Sequence, residues 1–73
     1  MYLDLLQNGY AITLYGKGYT ATTFYYDNNC IYYNNDEIGY KCKHDVFTQD
    51  KKFFDLHINN MLNAYMCVEI VKR

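Results

Sequence analysis

The chain has 73 residues, of which seven are basic and eight are acidic, so its formal net charge is −1. A domain of this size buries only about 60–65% of the surface that its unfolded chain exposes, which leaves little room for a deep substrate cavity. The sequence has no run of about 18 apolar residues that could span a bilayer, and its first residues lack the pattern of a secretory signal. We therefore expect one compact domain over residues 1–73, located in the cytoplasm and away from membranes.

Tyrosine and asparagine dominate the composition. Ten residues are Tyr and eight are Asn, whereas Pro and Trp are absent. Tyr favours a half-buried pleated surface, and paired Asn residues are typical of tight turns. Together they predict a compact antiparallel sheet whose outer face is covered with phenol rings.

The first segment carries a hairpin signal, Asn8-Gly9, between two alternating stretches. A two-residue turn would place Leu3 and Leu5 on the same face as Ile12 and Leu14. The alternative is a short helix over residues 2–8 that ends at a left-handed Gly9. Seven residues make a marginal helix, so the hairpin is the favoured interpretation.

Residues 19–26 are rich in β-branched and aromatic side chains and predict a strand. The pair Asn28-Asn29 turns this strand into Cys30-Ile31-Tyr32-Tyr33. Such a turn places Tyr25 opposite Tyr32 and Tyr26 opposite Ile31. A further turn at residues 34–37 leads into residues 38–43, which continue the meander.

The second half predicts one amphipathic helix over residues 48–63, with Asp45 or Thr48 as its cap and Asp50 in its first turn. Residues 65–71 then alternate like a closing strand, although a helix that continues to the end is the alternative. The fold class is therefore α+β: an antiparallel β-meander of four to five strands, one amphipathic helix packed on one face, and a possible C-terminal strand. The apolar stripe of the helix consists of Phe47, Phe54, Ile58, Met61 and Tyr65, with Leu62 beside them.

Signals for catalysis or metal binding are weak. Zinc prefers four nitrogen or sulfur ligands that come in close pairs, and only Cys42 and His44 are close in sequence. Nucleophilic catalysis requires a nucleophile, a base and an orienting acid, but the chain has no Ser, and Cys42, His44 and Asp45 are crowded together. We expect a protein that is not an enzyme and has no metal and no cofactor.

Binding by contact fits the composition better. Tyr offers a large contact area at a small cost in rotamer entropy, and it is enriched at the centres of interfaces. The alternative is a small nucleic-acid-binding module that stacks bases on an aromatic sheet face, although Lys17, Lys41 and Lys43 are its only basic residues in the sheet region. The candidate contact residues are Tyr25, Tyr32, Tyr33, Asp36, Glu37 and Tyr40.

Three stretches of the chain resemble small phage-encoded anti-CRISPR proteins, especially the short inhibitors of Cas9. They are residues 10–16 (YAITLYG), the turn Asn34-Asn35-Asp36 with Tyr40 beyond it, and the helix that follows. The resemblance implies a non-catalytic inhibitor of a larger host nuclease or defence complex, such as a CRISPR effector, in the cytoplasm of the host cell. In that family acidic loop residues replace DNA phosphates, and the matching positions here are Asp36 and Glu37, with Asp27 nearby. The near-neutral charge departs from that pattern, so the expected contact is more aromatic. The oligomeric state stays open.

Overall fold

The computed structural model describes residues 1–64 and 66–73 and has one antiparallel five-stranded sheet in the order β4-β3-β2-β1-β5. Three helices pack against one face of this sheet. The α+β fold class that the sequence predicts is therefore confirmed. In chain order the elements are α1 (Tyr2–Gln7), β1 (Tyr10–Gly16), β2 (Tyr19–Asp27), β3 (Cys30–Asn35), β4 (Cys42–Lys43), α2 (Asp45–Gln49), α3 (Lys52–Asn63) and β5 (Cys67–Lys72).

The β2–β3 hairpin has the register that its sequence predicts. Tyr25 lies opposite Tyr32, and Tyr26 lies opposite Ile31. The two turn residues have positive φ angles, 50° at Asn28 and 63° at Asn29. A two-residue turn with left-handed residues matches the twist of the flanking strands, and Asn is one of the few residues that tolerate this conformation.

The predicted hairpin over residues 2–15 is wrong, because Tyr2–Gln7 forms a helix and only residues from Tyr10 onward form a strand. Gly9 follows this helix with a φ of 91°, as expected of a left-handed helix stop. A helix of six residues is marginal in isolation, and here contacts from elsewhere in the fold stabilise it. Asp55 of α3 accepts a hydrogen bond from the backbone N–H of Tyr2 at 2.6 Å, and Leu6 is buried in the core.

We expect Asp55→Ala to lower the free energy of unfolding by about 1–2 kcal/mol, because it leaves N–H groups at the start of α1 without their acceptor. Asp55→Asn is the matched control, since its amide oxygen can still accept these hydrogen bonds. Urea denaturation of both variants measures the difference. Equal stability of the Ala variant and the unaltered chain would show that Asp55 does not hold α1.

The predicted single helix over residues 48–63 is divided in the structure. A short helix, α2, precedes α3, and the chain is extended between them at Asp50, whose ψ is 97°. The Asp50 carboxylate accepts a hydrogen bond from the Lys52 N–H at 3.2 Å, so it competes with helix continuation as Asp side chains do. The cap of α2 is His44 rather than Asp45 or Thr48, because the His44 Nδ1 atom accepts from the Phe47 N–H at 3.2 Å.

Two later predictions have different outcomes. The strand expected over residues 38–43 is reduced to Cys42–Lys43, and residues 36–40 form bends. The closing strand is confirmed as Cys67–Lys72, which pairs with β1 so that Ile12 faces Ile70 and Leu14 faces Val68. The assignment of Tyr65 to the helix stripe or to this strand lies outside the described residues.

The core lies between the helices and the sheet. Phe54 is fully buried and contacts the rings of Phe24 and Phe47 at centroid distances of 5.2 and 5.7 Å. Met61 and Leu62 of the predicted stripe are only partly buried. No helix in the described ranges is long and apolar enough to cross a membrane. The buried core residues are Leu6, Ile12, Leu14, Phe24, Ile31, Phe47, Phe54, Ile58 and Met66.

Candidate functional site

The face of the sheet opposite the helices has none of the described helices against it, and we call it the open face. Side chains alternate between the two faces of a strand, so the neighbours of the buried residues Ile12, Phe24 and Ile31 point to this side. The centre of the open face carries small side chains, and the Thr13 and Thr23 hydroxyls hydrogen-bond across the strands at 2.9 Å. The residues of the open face in β1 to β4 are Ala11, Thr13, Tyr15, Ala21, Thr23, Tyr25, Asp27, Cys30, Tyr32, Asn34 and Lys43.

Tyr25 and Tyr32 form a cross-strand pair on the open face, and both are half-buried. Lys43 lies directly opposite Tyr32 in the β3–β4 ladder. The Lys41 ammonium lies 4.5 Å from the centroid of the Tyr25 ring, and the Arg73 guanidinium lies 5.1 Å from the same centroid. Cations at these distances are attracted to the ring quadrupole. Three cationic side chains therefore accompany the pair of rings, and Asp27 lies two residues beyond Tyr25 on the same face, in a chain whose net charge is −1.

Tyr33 does not belong to this face. It pairs with Phe24 and packs against the core on the helix side, where its ring lies 5.3 Å from the His44 ring in an edge-on arrangement. Because Tyr32 and Tyr33 are neighbours on one strand, they point to opposite faces. The structure thus brings Tyr25 and Tyr32 together and separates both from Tyr33.

The remaining three candidate residues lie in the bends after β3, and we call residues 36–40 the acidic loop. The Asn35 side-chain oxygen accepts hydrogen bonds from the backbone N–H groups of Glu37 and Ile38, at 3.0 and 2.9 Å. This short-range capping orders the turn. Asp36 and Glu37 are exposed, and Tyr40 is 69% exposed. The loop therefore presents two carboxylates and one phenol ring to solvent.

A second exposed apolar surface lies on the helical side, and the sequence prediction did not include it. Val46, Phe53 and Leu56 are 56%, 46% and 53% exposed and line a shallow groove between α2 and α3. We call these three residues the helix patch. The signal for them was present in the sequence, since Phe53 and Leu56 are apolar residues off the predicted stripe.

The larger concave feature is a pocket of about 420 Å³ between α3 and the helix-facing side of the sheet. It contains the imidazoles of His44 and His57, so we call it the imidazole pocket. Among the residues described, no group of three or more His, Cys, Asp or Glu side chains is placed to hold a metal ion. The lining residues are Leu14, Tyr19, Thr20, Thr22, Phe24, Tyr33, His44, His57, Met61 and Met66.

Both imidazoles lie among aromatic rings. His44 stacks on Phe47 with a centroid distance of 3.8 Å, and His57 lies 5.3 Å from the same ring. Desolvation by burial lowers the pKa of each histidine, and for His44 the neighbouring His57 lowers the pKa further while Asp45 opposes the change. Both side chains therefore favour the neutral form.

We expect the protein to lose stability as the pH falls from 7.5 to 5. Both folded-state pKa values lie below the ordinary value of 6.5, so the unfolded chain takes up protons first. The stability that the two neutral histidines contribute is complete above about pH 6.5, and it is lost as the pH falls through their folded-state pKa values. Thermal unfolding at the two pH values measures it. His44→Asn keeps a capping acceptor but does not titrate, so this variant should lose less stability between the two pH values. An equal loss in the variant and the unaltered chain would rule out His44 as a source of the pH dependence.

The chain matches no protein-family model, no curated protein and no solved structure in the comparisons with known proteins.

Proposed function

We propose that the chain is a non-catalytic binding protein that acts as a small inhibitor and uses the open face to bind a larger host protein or nucleoprotein complex. One observation carries the proposal: the pair Tyr25–Tyr32, with Lys41 and Lys43 beside it, lies on a sheet face that no described helix covers. A helix-free face with aromatic and cationic side chains is chemically suited to contact rather than to catalysis.

The surroundings of the two rings favour binding. Ala and Thr side chains occupy the neighbouring positions of β1 and β2, so a partner can approach the sheet closely beside the rings. The β2–β3 ladder and the two cations hold Tyr25 in place before a partner arrives. Binding then costs less conformational entropy, because the side chains are already ordered.

The charges favour a partner with acidic groups next to an apolar area. Lys41, Lys43 and Arg73 surround the rings, and rim charges of this kind speed the encounter with an oppositely charged surface. In this proposal the partner is a nuclease or defence complex in the host cytoplasm, as the resemblance to anti-CRISPR inhibitors implies. The acidic loop with Asp36, Glu37 and Tyr40 is then a second contact, directed at basic groups that normally hold nucleic acid.

Capture from a bacterial lysate tests this proposal when matched variants are compared. The immobilised chain should retain one large partner in a stoichiometric amount, and the double variant Tyr25→Ala/Tyr32→Ala should release it. If the captured complex is a nuclease, an equimolar amount of the chain should block its cleavage of DNA. Retention of the same partner by a folded double variant would contradict the proposed face.

The second candidate function is binding of single-stranded nucleic acid by the same face. Lys41 and Arg73 beside Tyr25, with Lys43 opposite Tyr32, favour it, because stacking rings beside cations are typical of such sites. A fluorescent oligothymidine should then bind at low salt, with log affinity falling by about 0.7 for each phosphate contact per tenfold rise in salt. Absence of binding at low salt would remove this candidate.

A further inference from the structure

The imidazole pocket has the dimensions and lining of a small-molecule site. Its volume of about 420 Å³ falls within the range of about 300–1,000 Å³ that is common for ligand pockets. A cavity of about 150 Å³ is already large enough for one benzene ring. The walls are mainly apolar and aromatic, and the sulfur-containing side chains Met61 and Met66 lie among them. Met adapts readily to the shape of a ligand.

His44 adds a directional polar group to these walls. Its Nδ1 atom accepts the hydrogen bond from the Phe47 N–H, so in the neutral ring the proton lies on Nε2. Among the described residues no acceptor lies within hydrogen-bond distance of this Nε2–H. The cap of α2 thus fixes the tautomer, and the Nε2–H donor belongs to a side chain that lines the pocket.

We propose that the imidazole pocket binds an uncharged aromatic molecule of one or two fused rings that accepts a hydrogen bond from His44 Nε2. The Phe24, Tyr33 and His44 rings line the pocket and provide the apolar and quadrupolar surface for such a ligand. In this proposal the acceptor atom of the ligand pairs with the Nε2–H donor. This site lies on the opposite side of the sheet from Tyr25 and Tyr32 and does not depend on the proposed contact function.

Quinoline and naphthalene are suitable probes, because they have the same shape and only quinoline carries an acceptor nitrogen. Titration at pH 7.5 is followed by the NMR signals of the Met61 and Met66 methyl groups and the His44 ring. We expect quinoline to shift all three and to bind about fivefold more tightly than naphthalene, the difference that one net hydrogen bond gives. Absence of shifts at the methyl groups with both probes would overturn the proposal.

Two variants locate the interaction. Thr20 lies at the exposed rim of the pocket, so Thr20→Trp should fill the entrance and abolish the methyl shifts, while Ala21→Trp, on the open face, should leave them unchanged. His44→Asn keeps the α2 cap and removes the imidazole, so quinoline should lose its advantage over naphthalene. Unchanged quinoline binding to the Thr20→Trp variant, or an advantage that persists without His44, would contradict the assigned site.

Discussion

Phe54→Ala is expected to lower the free energy of unfolding by about 3–5 kcal/mol. Phe54 is 0% exposed and contacts both Phe24 and Phe47, which link α3 to the sheet and to α2. Its truncation removes apolar burial and leaves a cavity that the small fold cannot easily close. A domain of 73 residues has a total stability of roughly 4–11 kcal/mol, so the variant is close to unfolding.

Urea denaturation at pH 7.5 measures this effect, and the adjacent residue offers a matched control. Phe53 is 46% exposed and belongs to the helix patch, so Phe53→Ala should cost less than about 1 kcal/mol. Both substitutions remove the same atoms from the same helix. Similar losses in the two variants would contradict the assignment of Phe54 to the centre of the core.

The second large effect concerns binding. Tyr25→Ala/Tyr32→Ala should weaken the complex with the host partner at least about 30-fold, because a single aromatic hot spot commonly contributes 2 kcal/mol or more. The fold should persist, since a cross-strand pair of this kind contributes only about 0.2–1 kcal/mol to the sheet. Isothermal titration calorimetry with the purified partner measures the change in affinity, and circular dichroism checks the fold.

Other tyrosines serve as controls for this variant. Tyr19 is 62% exposed but lies at the rim of the imidazole pocket, so Tyr19→Ala should leave partner binding unchanged. Tyr33→Ala removes a ring that packs against the core, so its main effect should be on stability. An equal loss of affinity with Tyr19→Ala would indicate that the rings act without regard to their position.

Features that depend on neighbouring residues were predictable from the sequence. The Asn28-Asn29 turn sets the β2–β3 register, and the positions of Tyr25 and Tyr32 follow from it. By contrast, α1 depends on the Asp55 carboxylate, which is 53 residues away from Tyr2. A local pattern contains no information about such a partner, so the hairpin signal at Asn8-Gly9 was misleading.

The features of the candidate sites also separate into those that follow from neighbouring residues and those that depend on distant ones. Period-two alternation is enough to separate Tyr32 from Tyr33, so the sequence already contains the reason why these two rings do not share a face. The position of Arg73 beside Tyr25 depends on the crossover that places β5 next to β1. The imidazole pocket likewise needs His44 and His57 from separate elements to meet at the sheet. Only the folded chain shows these convergences.

Covalent footprinting of the chain, free and bound to its host partner, tests the open face most directly. Hydroxyl radicals modify accessible rings, acetylation modifies accessible lysines, and mass spectrometry locates both. Binding through the open face predicts protection of Tyr25, Tyr32 and Lys43 in the complex, with Phe53 and Leu56 of the helix patch modified as in the free chain. Protection of the helix patch with unchanged modification of Tyr25 and Tyr32 would contradict binding through the open face.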